Sequence, residues 1–309
     1  MKPLRAGDPH QIGNYRLLGR LSAGGTREVF LGESPTQRKV SVRLIKGEYA
    51  DDREFRQRFA QEVAVARMMG GFHTAPVVDA DPDGDPPWLV TAYIPGPSLF
   101  DAVRQNGPLP LDAARGLGGT LAEGLAMLHT CGLVHRDFEP GNVTLPENGP
   151  PVIDFGLTRT DAAAGLASSG VNTSSGVIAG AISYMPPEQV SGDHVDFPSD
   201  VFSLGCVLAY AATGRSPFAA GTIPAIASRI IGGEPTLDGI DGPLRAIIED
   251  CLAKDPDTRP TMATVATRLT GHAFLPPVPD QSPYTEWTIA DDPEPTTMKA
   301  LWLGQRRQA

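Results

Sequence analysis

The stretch HRDFEPGN at residues 135–142 decides how the rest of this sequence is interpreted. It places an acid, Asp137, five residues before an amide, Asn142, on a short segment that follows a long helical pattern. A second acid, Glu139, stands between them. Asp and Asn are common in turns, so this segment alone identifies no activity, and its meaning depends on the residues around it.

Composition limits the classes of protein that come into question. Of the 309 residues, 41% are hydrophobic and 20% are charged, which is typical of a globular protein with a buried core. The net charge of −10 gives no support for nucleic acid as a partner. The three cysteines are scattered, the N-terminus lacks an apolar signal core, and no stretch reaches about 18 apolar residues. These features favour a cytoplasmic protein without a membrane span.

Two regions of different character lie on either side of the segment IPGP at residues 94–97. Before it, short β-rich runs separated by turns predict an antiparallel sheet, and residues 53–69 carry one apolar stripe at helical spacing. After it, long helical patterns predominate. We predict an α+β fold in four parts: an N-terminal arm (1–14), a small β-rich N-lobe with one main helix (15–93), a larger helical C-lobe (94–272) and a Pro- and acid-rich C-terminal tail (273–309). For the tail, docking on the domain is favoured over partner binding and disorder.

Five motifs together identify a family, although one of them alone would not. They are HRDFEPGN (135–142), IDFGLTR (153–159), YMPPEQ (184–189), SDVFSLG (199–205) and DPDTRP (255–260). In this order and spacing they resemble the eukaryotic-like (Hanks-type) Ser/Thr protein kinases of actinobacterial type, over about residues 15–271. The resemblance implies a bilobal protein-kinase-like fold, ATP and Mg²⁺ as cofactors, and a protein as substrate or partner.

Several residues match positions that have defined roles in that family. Asp137 matches the base that accepts the proton of the substrate hydroxyl, and Asn142 and Asp154 match the magnesium ligands. Glu62 aligns with the glutamate that holds the lysine of the third strand. The positions that match nucleotide contacts are Ser22, Gly24, Arg27, Val29, the gatekeeper Thr91, and Ala92 and Ile94 of the hinge. In the C-lobe, Glu188 and Arg259 match a buried ion pair of the family, and Asp200 matches an anchor beneath the catalytic loop.

Two departures from the family pattern affect residues that bind the nucleotide in that family. Arg43 stands where the family has lysine on the third strand, and its planar guanidinium places its donors differently from a compact ammonium. Of the three glycines of the phosphate loop only Gly24 remains, because Ser22 and Arg27 occupy the outer positions. Side chains at those positions limit how closely the backbone N–H groups approach a phosphate.

Two further departures affect the transferred phosphate. Glu139 occupies the position of a lysine that meets this phosphate, so an anion replaces a cation. A unit charge about 4 Å away is worth about 4 kcal/mol at an effective dielectric of about 20, so the reversal would slow transfer by several powers of ten. Ala181 replaces a threonine that bonds both the base and that lysine.

These departures predict a degenerate active site. We interpret the chain as a pseudokinase or a very weak Ser/Thr kinase that acts in regulation through nucleotide or protein binding, with ATP and Mg²⁺ binding weakened or lost. Two alternatives stay open. One is an active ATP-dependent Ser/Thr protein kinase in which Arg43 acts for the lysine, and the other is a kinase fold that transfers a phosphoryl or other group to a specialised acceptor.

The segment between Asp154 and Glu188 is rich in small and hydroxyl residues. Arg136 precedes the base, as in kinases whose segment is ordered by phosphate, and we predict that it receives a phosphorylated side chain. The candidate acceptors are Thr160, Ser168, Ser169, Thr173, Ser174 and Ser175.

Overall fold

The computed structural model describes residues 1–21, 27–45, 50, 52–68, 73–154 and 182–276. The chain divides into two compact units, Met1–Ile94 and Pro95–Ala309. The first contains the main β-sheet and the second is mainly helical, which confirms the predicted α+β class with a β-rich N-lobe and a helical C-lobe. Most of the predicted tail, from residue 277 onward, lies outside the described residues.

The first unit is built on an antiparallel sheet of six strands in the order β1-β2-β3-β4-β6-β5. The alternating burial along β2 and the largely buried β4 place apolar side chains such as Phe30, Val42 and Leu44 in one core. This core holds the central strands in register, so that Val29 faces Arg43 and Arg43 faces Leu89. The strands are β1 (Gln11–Ile12), β2 (Tyr15–Arg20), β3 (Arg27–Glu33), β4 (Lys39–Ile45), β5 (Val77–Asp81) and β6 (Trp88–Ala92).

Helix α1 (Arg53–Met68) is the helix predicted from the apolar stripe. The stripe is buried as expected, and its members are Phe55, Phe59, Val63 and Ala66. On a different side of the helix, Arg56 donates hydrogen bonds to the carbonyl oxygens of Ala50 at 2.6 Å, Pro82 at 3.1 Å and Gly84 at 2.9 Å. Arg56 therefore ties the start of α1 to the connection between β5 and β6.

The second unit is a bundle in which α3 and α5 form the centre. A Cβ added to Gly118 of α3 would lie 2.6 Å from Cδ2 of Leu208 and 3.3 Å from Cδ1 of Leu269, so this glycine permits the close approach of α5 and α8. The elements are α2 (Leu99–Asn106), α3 (Leu111–Thr130), β7 (Val143–Thr144), β8 (Val152–Ile153), α4 (Pro187–Ser191), α5 (Phe197–Thr213), α6 (Ile223–Gly232), α7 (Gly242–Cys251) and α8 (Met262–Thr270).

Helix α5 illustrates how local sequence signals set the bounds of an element. It begins at a capping box in which the side chains of Asp196 and Ser199 each accept a hydrogen bond from a backbone N–H group, and it ends at Gly214, whose φ of 73° is left-handed. Across the described ranges, no helix combines the length and the apolar character that crossing a membrane requires.

Candidate active site

The segment at residues 135–142 is a loop between α3 and β7, and its backbone is anchored by one buried acid. Asp200 of α5 is 1% exposed and accepts hydrogen bonds from the backbone N–H groups of His135 at 2.8 Å and Arg136 at 2.9 Å. His129 Nε2 lies 2.8 Å from the same carboxylate. Arg136 adopts a left-handed φ of 63°, which is unfavourable for a residue with a Cβ, and the two backbone hydrogen bonds offset that cost.

Asp137 and Asn142 are joined across this loop. Nδ2 of Asn142 donates to the backbone oxygen of Asp137 at 2.7 Å and to its Oδ2 at 3.0 Å. The short 3-10 helix Pro140–Asn142 turns the chain back so that these contacts can form. Because Nδ2 makes both contacts, Oδ1 is the atom of Asn142 that can act as a metal ligand.

Asp154 is connected to the same loop through its backbone. Its N–H donates to the backbone oxygen of Asn142 at 2.8 Å, and its carbonyl oxygen lies 2.8 Å from Nε2 of His135. A carbonyl only accepts, so His135 carries a proton on Nε2, and its Nδ1 accepts from the N–H of Asp137 at 3.4 Å. The structure thus brings together the predicted base and the two predicted magnesium ligands in the second unit.

Glu139 lies on the loop between Asp137 and Asn142, and its side chain folds over Gly141. A Cβ on Gly141 would lie 3.2 Å from Oε1 of Glu139, so the glycine leaves room for this carboxylate. Beside the loop is a small cavity of about 10 Å³, room for about one water molecule. Its lining includes Arg136, Asp137, Glu139, Tyr184, Gln189 and Ser203.

Tyr184, which lines this cavity, is held in its neutral form. Burial, together with charges that include Glu139, raises the pKa of Tyr184 far above its ordinary value. Tyr184 is 7% exposed, and its carbonyl oxygen accepts a hydrogen bond from Ser203 at 3.0 Å. Tyr184 therefore stays a neutral wall of the cavity.

The predicted ion pair of the second unit is present and buried. Arg259 binds Glu188 with both ends of its guanidinium, Nη1 to Oε1 at 2.7 Å and Nη2 to Oε2 at 2.9 Å. Ser199 also donates to Oε1 of Glu188, at 2.7 Å. Burial opposes the charge, but the hydrogen bonds from Arg259 and Ser199 outweigh it and lower the pKa of Glu188.

The first unit contains the residues that are predicted to contact the nucleotide. Arg43 on β4 is 5% exposed, and Thr91 on β6 is buried opposite Ser41. Glu62 lies half-buried on α1, next to the buried stripe. The other predicted positions in described segments are the backbone of Arg27 at the start of β3, Val29 on β3, Ala92 at the end of β6, and Ile94.

Some predictions fall outside the described residues. These are Ser22 and Gly24 of the phosphate loop, Ala181, and the acceptor candidates Thr160, Ser168, Ser169, Thr173, Ser174 and Ser175. Conversely, sequence reasoning gave no role to His129 or to the His135 ring. Little in the sequence signals these roles, because Asp200, which binds His129, lies 71 residues further along the chain, and Asp154, which binds Nε2 of His135, lies 19 residues further.

With this geometry established, the family follows from sequence comparison. Residues 15–275 match the sequence model of the protein kinase domain, and the chain belongs to that family. It is 52% identical over 281 residues to "Probable serine/threonine-protein kinase PkwA" of Thermomonospora curvata, with 90% of this chain and 37% of that protein covered.

Two other relatives show the same relationship at lower identity. The chain is 41% identical over 281 residues to "Serine/threonine-protein kinase AfsK" of Streptomyces coelicolor, covering 91% of this chain and 34% of the relative. It is 32% identical over 262 residues to "Serine/threonine-protein kinase PknB" of Mycobacterium leprae, covering 81% and 41%. The chain thus spans between about a third and two fifths of the length of these relatives.

Proposed function

We propose that this domain binds ATP with Mg²⁺ and slowly phosphorylates serine or threonine residues of a protein substrate. The supporting observation is the hydrogen-bonded set of Asp137, Asn142 and Asp154 on a loop anchored by Asp200. Family membership supports the same reaction, since the three relatives compared are named Ser/Thr protein kinases. The departures reduce the rate but leave the base and the metal ligands in place.

The residues present fit a magnesium ion. Asn142 uses Nδ2 on Asp137, which leaves its Oδ1 as the ligand atom, and Asp154 contributes a carboxylate. Both are hard oxygen donors of the kind that Mg²⁺ prefers. When bound, the ion neutralises the charge of the phosphates.

Asp137 serves as the base in this proposal. The acceptor hydroxyl oxygen attacks the terminal phosphorus of ATP, the bond from that phosphorus to the bridging oxygen breaks, and the hydroxyl proton passes to Asp137. Asn142 restrains Oδ2 of Asp137, so the carboxylate is held in one orientation while it accepts the proton.

A second candidate function is a pseudokinase that regulates another protein. The observation that favours it is Glu139, an anion on the catalytic loop where the transferred phosphate requires positive charge. Arg43 in place of lysine acts in the same direction. This candidate binds nucleotide or a partner protein and transfers nothing.

Measurements of ATP binding and of phosphate transfer distinguish the kinase from the pseudokinase. ATP binding is measured by calorimetry with and without Mg²⁺, and the intact mass of the protein is then followed during long incubation with ATP and with a generic protein acceptor. Asp154→Asn is the matched loss-of-function variant, because it keeps the size of the side chain and removes the metal-binding charge.

The outcomes are distinct. Magnesium-dependent binding with a slow gain of phosphate mass that Asp154→Asn abolishes supports the kinase. Binding without any mass gain on protein overturns the kinase and supports the pseudokinase. Absence of nucleotide binding overturns the kinase and leaves only the form of the pseudokinase that works through a partner protein.

A further inference from the structure

The N-terminal arm, residues 1–14, precedes the residues that match the family and is nevertheless built into the sheet. Lys2 and Arg20 exchange backbone hydrogen bonds of 2.9 and 2.8 Å, and β1 pairs with the start of β2. A Cβ on Gly19 would lie 2.8 Å from the carbonyl oxygen of Lys2, so the arm approaches β2 more closely than a larger residue would allow. The arm is thus fixed to β2 at two places.

A buried ion cluster joins the arm to the sheet at the far end of β2. Arg20 is 6% exposed and Asp8 is 7% exposed. Nε of Arg20 donates to Oδ2 of Asp8 at 2.6 Å, and Nη2 donates to Oδ1 of the same carboxylate. Nη2 also donates to Oε1 of Glu28 at 2.8 Å, and the guanidinium lies 5.2 Å from the centre of the Phe30 ring.

The carboxylate of Asp8 is itself held in place by the arm. The N–H of Arg5 donates to Oδ2 of Asp8 at 2.7 Å, and the N–H of Asp8 donates to the carbonyl oxygen of Arg5 at 3.0 Å. The hydrogen bond from Arg20 holds the pKa of Asp8 far below its ordinary value, so the carboxylate remains charged. A fixed, charged acceptor of this kind sets the orientation of the planar guanidinium.

The cluster lies at the two ends of the phosphate loop. Arg20 is the last residue of β2, and Glu28 is the second residue of β3. The residues between these strands, 21–26, include Ser22 and Gly24 of the glycine pattern, and Arg27, at its third glycine position, is the first residue of β3. Arg20 therefore cross-links the strand that enters this loop to the strand that leaves it, and Asp8 determines where Arg20 points.

We infer that the N-terminal arm positions the nucleotide-binding loop, with Asp8 and Arg20 as positioning residues. The inference rests on the proposed function, since it takes the loop to bind nucleotide. A loop whose strand ends are fixed in advance loses less conformational freedom on binding, and this raises affinity. Fixing the ends of the loop matters most in this chain because two of the three loop glycines are replaced, and fewer backbone N–H groups then approach the phosphates closely.

The test compares Asp8→Asn with Glu33→Gln in the full chain. Asp8→Asn keeps the shape of the side chain and removes the charge that orients Arg20. Glu33→Gln is the control, because Glu33 also pairs with cations, Arg16 at 2.7 Å and Lys39 at 2.6 Å, but these partners are exposed and lie at the opposite end of β3. Two quantities are measured: the Kd of ATP with Mg²⁺, and amide hydrogen exchange over residues 19–30.

We expect Asp8→Asn to raise the Kd about three- to tenfold and to accelerate exchange over residues 19–30. Glu33→Gln changes neither quantity. If Asp8→Asn does not fold, Arg20→Lys is used instead, and we expect the same rise in Kd and the same faster exchange. Arg20→Lys keeps the positive charge but removes the planar guanidinium that binds the carboxylates of Asp8 and Glu28. If Asp8 has a purely structural role, Asp8→Asn and Arg20→Lys will lower the melting temperature and leave the Kd of ATP unchanged.

Each remaining outcome has one meaning. If the wild-type chain binds ATP and Asp8→Asn binds it with the same Kd, the positioning role is overturned and the proposed function stands. If the wild-type chain binds no ATP, the proposed function and the nucleotide role of the arm are overturned together.

Discussion

Nδ2 of Asn142 donates to both the backbone oxygen and Oδ2 of Asp137, at 2.7 and 3.0 Å. The residue that matches a magnesium ligand therefore also orients the residue that matches the base. In the proposed reaction, metal binding and base orientation would both depend on one amide group, so a change at Asn142 would act on both.

Asn142→Ala is expected to weaken the magnesium dependence of ATP binding and to lower any phosphoryl transfer about a hundredfold or more. The cause is loss of the Oδ1 ligand together with both hydrogen bonds to Asp137. Calorimetry across a range of Mg²⁺ concentrations measures the first effect. Asn106→Ala is the control, since Asn106 also donates from Nδ2 to a backbone oxygen, that of Ala102 at 2.9 Å. An unchanged magnesium dependence in Asn142→Ala would contradict the assignment.

Asp200→Asn is expected to lower the free energy of unfolding by about 2–3 kcal/mol. Asp200 is buried and accepts from two backbone N–H groups and from the His129 ring, and an amide in its place turns one acceptor into a donor. Urea denaturation measures the change. Asp196→Asn, in the cap of the same helix, should be nearly neutral because Asn caps a helix about as well as Asp. Equal destabilisation by both substitutions would argue against the anchoring role.

The pair of Glu188 and Arg259 predicts how stability depends on pH. The pKa of Glu188 is lowered in the folded protein, so its contribution is fully present above the ordinary value of 4.5 and is lost as the pH falls below it. Glu188→Gln should cost about 3–5 kcal/mol at pH 7, because it leaves Arg259 buried without its anion.

The check is a series of urea denaturations of wild type and Glu188→Gln between about pH 7 and pH 3.5. The difference between the two proteins should narrow as the pH falls, since protonated Glu188 resembles glutamine. A difference that stays constant over this range would contradict the lowered pKa.

The sequence predicted those parts of the molecule that have a periodic or motif signal. The buried stripe of α1 followed from helical spacing, and the contacts of Asp137 and Asn142 lie within one motif. The strand β1 has only two residues, too few for an alternating pattern. The burial of Asp8 depends on Arg20, which follows twelve residues later, and pairing of charges leaves no period in a sequence.

Gly118 and Gly116 on α3 provide a matched pair for testing helix packing. Gly118→Ala should lower the free energy of unfolding by about 1–2 kcal/mol, since its Cβ would meet the buried Leu208 at 2.6 Å. Gly116 is exposed and a Cβ there meets nothing within 4 Å, so Gly116→Ala should raise stability by about 0.5–1 kcal/mol through helix propensity. Thermal denaturation of both variants measures the difference. A stabilised Gly118→Ala would show that α5 moves freely away from α3.

Glu139→Lys tests which departure limits the reaction. The substitution restores positive charge at the position that matches the phosphate-contacting lysine of the family, and the reversal of sign should raise the rate of phosphoryl transfer at least about tenfold over wild type. Autophosphorylation followed by intact mass, at saturating ATP and Mg²⁺, measures it. The control is Glu147→Lys, which makes the same change of charge at an exposed position of the second unit and should leave the rate unaltered.

Comparison with Arg43→Lys shows whether Glu139 or Arg43 limits the rate of phosphoryl transfer. If Glu139→Lys raises the rate and Arg43→Lys adds little, the catalytic loop is the limiting part and the nucleotide site functions with arginine. If Glu139→Lys has no effect while Arg43→Lys raises the rate, the charge of Glu139 does not act on the phosphate. Because the side chain folds over Gly141, that second result would place its carboxylate away from the path of the transferred group.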